Sequence, residues 1–211
     1  KIDVTGSACA DTEAVSNGTA TGKVNISDTT VVNGKIVEMV AVIRYADGTS
    51  YSFYNLADAL AKAQAGDTII LLRDVTLSEI LTINKAITLD GNGKTLTSTA
   101  GRAINVSGAD GVTIKNLTIN ASGERAINII QNATNVTIDN VIATAANYTV
   151  NVASSAPNAV VAIKNSTLDG LCTVNVSAEG AQVTVDNSTV NCNDNNTTLG
   201  ESYAALSLNK D

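Results

Sequence analysis

The stretch that decides the fold runs from Ala103 to Val190 and falls into four aligned lines. They are AINVSGADGVTIKNLTINASGER from Ala103, AINIIQNATNVTIDNVIATAANY from Ala126, TVNVASSAPNAVVAIKNSTLDGLC from Thr149 and TVNVSAEGAQVTVDNSTV from Thr173. The starts lie 23 or 24 residues apart. Each line holds three short apolar runs that alternate with period two, which is the pattern of a half-buried strand. Stacking the lines puts Ile104, Ile127, Val150 and Val174 in one column, and Val106, Ile129, Val152 and Val176 in the next. The second run gives Val112, Val136, Val161 and Val183, with Ile114, Ile138, Ile163 and Val185 beside them. The third gives Ile119, Ala143, Leu168 and Val190.

One such repeat cannot bury its apolar face alone. Stacked repeats can, each strand pairing with its equivalents about 4.8 Å above and below. Three strands in so short a repeat leave only tight corners, which excludes a crossover helix and a βαβ sheet. A leucine-rich repeat has a similar period, but it carries one strand per repeat and many leucines. The expectation is an all-β parallel β-helix with three-strand coils of about 23 residues. LTIN from Leu81 extends it upstream, and AALSL from Ala204 opens a further coil downstream.

The second run ends in Asn116, Asn140, Asn165 and Asn187, with Asn92 continuing the column. Asparagine tolerates the left-handed backbone of a sharp corner, and stacked amides can bond from coil to coil. Asn116, Asn165 and Asn187 also open N-x-S/T sequons; the corner explains them without glycosylation. The residue before each corner alternates in sign through Lys115, Asp139, Lys164 and Asp186, with Asp90 one coil earlier. This predicts an exposed salt-bridge ladder.

Aliphatic columns with an Asn ladder between second and third strands resemble the right-handed parallel β-helix of the pectin lyase-like superfamily, over roughly residues 67–208. That resemblance implies the fold and an exported, bacterial surface protein. It implies little about activity, because the superfamily includes polysaccharide lyases and hydrolases, phage tailspikes, adhesins and surface proteins of unknown role.

Upstream, Asn55 to Ala65 reads as a helix, with Asn55 as N-cap, Asp58 completing a capping box and Gly66 as the stop. Leu56, Ala59, Leu60 and Ala63 share one face, suited to plugging the end of the solenoid. KIVEMVAVIRYADGTSYSFY before it reads as a β-hairpin turning at Asp47-Gly48. Tyr45, Tyr51, Phe53 and Tyr54 crowd there as a cap cluster. Residues 1–30 are polar and read as loop and weak strand. The division expected is 1–66 as N-terminal strands, hairpin and capping helix, and 67–211 as β-helix cut short at its C-terminal end. The opening on Lys1, with no start Met, fits a piece of a longer protein.

Composition narrows function. The net charge is −7 with no basic run, which argues against a nucleic-acid partner. The absence of His removes the commonest general base and metal ligand. No apolar run is long enough for a transmembrane segment. Cys9, Cys172 and Cys192 have no metal-like spacing and read as buried or surface thiols; the alternative is a Cys172–Cys192 disulfide, since these two sit in neighbouring coils. Glycoside hydrolysis needs two flanking carboxylates, yet the outward columns are Asn105, Asn128, Asn151 and Asn175, and Thr113, Thr137, Ala162 and Thr184. No catalytic residue, metal site or cofactor is therefore expected. The Thr column, broken by Ala162, does not make a flat ice-binding face. The loop from Asn191 offers Asp194 and Glu201, too few carboxylates for Ca²⁺.

One column stands out before the first strand: Arg102, Arg125, Tyr148, Cys172 and Tyr203. Its Arg and Tyr residues are the candidate ligand-binding set, suited to an acidic or neutral glycan or another cell-surface ligand. Pairing of the arginines with Glu124 or acidic loops is the competing account. The expected function is a non-enzymatic secreted or cell-surface module, adhesive or stalk-like. A polysaccharide lyase or hydrolase and a tailspike-like receptor binder are the alternatives.

Overall fold

A computed structural model describes residues 2–4, 24–26, 29–32, 35–193 and 204–208. It is all-β, a solenoid of about five turns whose coils recur every ~23 residues. The aliphatic columns fall in register as the repeat predicts: Ile104 pairs with Ile127, then Val150, then Val174, and Ile114 with Ile138, then Ile163, then Val185. First strands form one parallel sheet, Leu81–Ile83, Arg102–Ser107, Arg125–Ile130, Tyr148–Val152, Val174–Val176 and Leu206–Leu208. Leu206 pairs with Val174, so AALSL does open a further coil.

Second and third runs form a bent sheet, and in three coils one strand spans both runs: Thr88–Ser98, Thr113–Ala121 and Val136–Thr144. The bend is the asparagine corner. Asn92, Asn116, Asn140, Asn165 and Asn187 all have φ between 45° and 53°, the left-handed region that Asn tolerates better than most residues. Inside, Ile104, Ile114, Ile119, Ile127 and Ile138 have no exposed surface. Each such side chain contributes about 1.5–3 kcal/mol by leaving water.

The ladder at this corner differs from expectation in two ways. Asn140 donates to Asn116 Oδ1 at 2.9 Å and Asn187 to Asn165 Oδ1 at 2.7 Å, but Asn116 donates to Asp90 Oδ1 at 3.0 Å and Asn165 to Asp139 Oδ1 at 2.8 Å. The amide takes the carboxylate where the coil before carries Asp, and the amide oxygen where it carries Lys. Asn92 is no rung for Asn116. Gly91 and Gly93 add two residues to its corner, and Asn92 Nδ2 reaches Leu71 O instead.

The salt-bridge ladder is likewise reduced. Lys115 meets Asp90 at 3.4 Å, and among the described residues no other ion pair forms along this column. The short amide is fixed by its corner and reaches a neighbouring carboxylate at little entropic cost, whereas a long Lys chain must be immobilised to do so. Partial burial pushes the Asp90 carboxyl up, but the bonds from Asn116 Nδ2 and the Asn92 N–H, with the Lys115 charge, hold it below the ordinary value. Its stabilisation is therefore present above the unfolded pKa and lost as pH falls through the depressed folded value. Melting midpoints followed below about pH 4 should fall less steeply in Asp90→Asn than in the parent; equal slopes would refute this.

At the N-terminal end, the helix spans Leu56–Lys62. Asn55 caps it by accepting from Asp58 N at 2.7 Å, while its Nδ2 donates to Asp58 Oδ2 at 2.7 Å. It stops before Gly66 because Lys85 Nζ takes the carbonyls of Leu60, Ala61 and Ala63, and Ala63 turns extended. Leu56, Ala59 and Ala63 enter the same core as the solenoid. The hairpin turns at Asp47-Gly48 and pairs Ala41–Arg44 with Ser50–Phe53. Lys35–Glu38 is not part of its strand: it pairs with Thr29–Val32 in a separate antiparallel ribbon, which begins at the end of the 1–30 segment read as loop and weak strand. Ala41–Arg44 also pairs antiparallel with Thr68–Leu71, so the hairpin continues the solenoid sheet. Buried Asp67 ties this junction by accepting from the N–H groups of Ala46 and Gln64.

Candidate functional site

The first-strand sheet carries an open polar trough of about 700 Å³. Its floor is Asn105, Asn128, Asn151 and Asn175, its one wall Arg102, Arg125 and Tyr148, and its other wall includes Ile130, Ala153 and Ser177. The expected column is thus real for three members: Arg102 pairs in register with Arg125, and Arg125 with Tyr148. Cys172 follows as a buried thiol, raised in pKa mainly by that burial. Tyr203, Cys9, Asp194 and Glu201 lie outside the described residues. Cys172 and Cys192 form no disulfide; Cys192 Sγ instead points at Leu171 O.

Strand alternation alone places Arg102 and Asn105, three residues apart, on opposite faces. Two successive residues turn inward at this corner and bring them together. Ala103 and Ile104 are both fully buried, as are Ala126 with Ile127 and Thr149 with Val150. The first of each pair is small because it occupies the tight corner. The sequence signal for the trough was there, as R-A-I-N twice and then Y-T-V-N, but the double inward step was needed to read it.

The floor is a continuous amide ladder. Asn175 Nδ2 donates to Asn151 Oδ1 at 2.7 Å, Asn151 to Asn128 at 2.7 Å and Asn128 to Asn105 at 3.0 Å. These outward residues are only 3–4% exposed from Asn128 to Asn175, since each is sandwiched between neighbours and flanked by the walls. The floor is therefore rigid and uncharged, and recognition falls to the wall.

On the wall, the Arg125 guanidinium lies 5.5 Å from the centre of the Tyr148 ring. Arg102 comes within 4.0 Å of Glu124, which is more than half exposed. This is the outer limit of an ion pair, so the competing account holds only weakly for Arg102. Arg102 Nε and Arg125 Nε are both buried with no hydrogen-bond partner. Among the described residues no Asp or Glu lines the trough. Among the described residues no group of His, Cys, Asp and Glu is arranged to hold a metal ion, and no helix is long and apolar enough to cross a membrane.

Compared with known proteins, the chain matches no family model, no curated protein and no solved structure.

Proposed function

We propose that this is a non-enzymatic glycan-binding module of an exported or surface-displayed protein, with the trough as its binding surface. The observation that carries the reading is a wall of Arg102, Arg125 and Tyr148 beside a rigid amide floor. The trough runs across successive coils, a shape suited to an extended polymer lying along the solenoid axis. Binding rather than cleavage is favoured because hydrolysis needs a carboxylate pair and the described residues put none in the trough lining.

The test is retention of host, plant and bacterial glycans on the immobilised protein, scoring both capture and shortening. Saturable capture without shortening is expected. Tyr148→Ala should weaken it about tenfold, through loss of an aromatic face and of the support it gives Arg125. Shortened products would mean an enzyme. No capture at all would leave a stalk, a stiff spacer whose surface serves no ligand.

A further inference from the structure

The two arginines of the wall present an electrostatic problem that the described residues do not solve. Arg102 and Arg125 are directly paired on adjacent strands, about 4.8 Å apart along the stack. Like charges in that relation repel. Glu124 reaches Arg102 only at 4.0 Å and from an exposed position, and Arg125 faces a neutral ring. Both Nε groups are buried without acceptors, which is unfavourable for a donor removed from water. The pair sits on adjacent strands, under-compensated by the described residues, which contribute no carboxylate to the trough lining.

We infer that Arg102 and Arg125 form a clasp for an anionic substituent, a carboxylate or a sulfate ester, on the glycan that lies in the trough. The inference rests on the glycan-binding reading above. An anion placed between the guanidiniums replaces their repulsion with two sets of charge-assisted hydrogen bonds. With each Nε buried, the terminal Nη groups are the donors that remain for the ligand. Their separation by one coil suits an anion whose oxygens contact both. Tyr148 fixes the second guanidinium by stacking, so less freedom is lost when the anion arrives. The anion is met directly by the two cations, since among the described residues no acidic side chain lines the trough to hold a bridging metal.

The experiment titrates the whole chain, in the presence of EDTA, with three oligosaccharides of equal length: an oligouronide, a neutral oligosaccharide and the same neutral backbone O-sulfated. At least one anionic ligand is expected to bind about tenfold or more tighter than the neutral one. That preference should collapse toward 1 M salt, where screening shortens to about 3 Å. Arg102→Gln with Arg125→Gln should bring the anionic ligand to the neutral level, with the melting midpoint held or raised because a repulsion has gone. A neutral ligand that binds as well as both anionic ones, or a double variant that keeps the preference, overturns the clasp and leaves the glycan reading standing. If no oligosaccharide of any charge binds, both fall. The salt dependence of the unaltered protein tests the clasp independently of the variant: a preference that survives high salt overturns it.

Discussion

Gly123→Ala should unfold or severely loosen the middle of the solenoid. A Cβ at Gly123 would sit 2.7 Å from Gly101 Cα and 2.8 Å from Gly101 C, with Ala100 O closer still. All three are backbone atoms of the coil before, locked in the stack by neighbours on both sides. None is the end of a flexible side chain that could swing away. The coils must separate locally, and the bonds from Ser122 N to Ser98 O and from Arg125 N to Gly101 O stretch with them. Overpacking of this kind costs typically 1–3 kcal/mol and here about 3 kcal/mol or more, because backbone rather than side chain must yield. Urea unfolding would measure it. Gly101→Ala is the control: nothing lies within 4 Å of its Cβ position, so it should cost well under ~1 kcal/mol. Equal losses at the two glycines would show that conformational freedom, and not close approach, is what matters there.

Asn151→Ala should cost about 2–4 kcal/mol, far more than a polar residue on an outward-facing position ordinarily would. Asn151 is the central rung of the floor, donating to Asn128 and accepting from Asn175. Its removal takes a bond from a buried group on each side, and buried polar groups left unmade are penalised by their full desolvation. The comparison is with Asn140, an exposed corner residue at φ 53°. Asn140→Gly keeps the left-handed backbone and loses one exposed bond, so roughly 1 kcal/mol is expected. Asn140→Ala should cost more than Asn140→Gly, because alanine resists that backbone. At position 151 that order has no reason to hold, as no left-handed backbone is required there. Thermal or urea unfolding of the Ala and Gly variants at both Asn151 and Asn140 separates an asparagine needed for its side chain from one needed for its backbone.

The contrast shows what could be read from the chain and what could not. Period-two columns placed the strands and their register, because every inward aliphatic depends on the same alternation. The left-handed corners were legible because few residues other than Asn and Gly accept them. The helix cap was legible as Asn55 and Asp58, but its end was not. That end is set by Lys85, 22 residues beyond Ala63, whose ammonium takes the last carbonyls. The charge column suggested ion pairs, yet short corner amides reach Asp90 and Asp139 at fixed geometry. Arg102, Arg125 and Tyr148 were visible as a column. That they share a trough with the asparagines was hidden by the paired inward residues at the corner, which break the alternation that strand reading relies on.

The floor ladder is also polarised. Asn175 donates to Asn151, Asn151 to Asn128 and Asn128 to Asn105, always from the later coil to the earlier. Three amide dipoles therefore point the same way and reinforce one another through their shared bonds. Turning one over would set two hydrogens against each other on one side and two oxygens on the other, so the column reverses as a whole or not at all. Its positive pole lies at Asn105, on the same strand as Arg102. A polymer lying in the trough would meet a surface with distinct electrical ends, and a chain entered head first would not be equivalent to the same chain entered tail first.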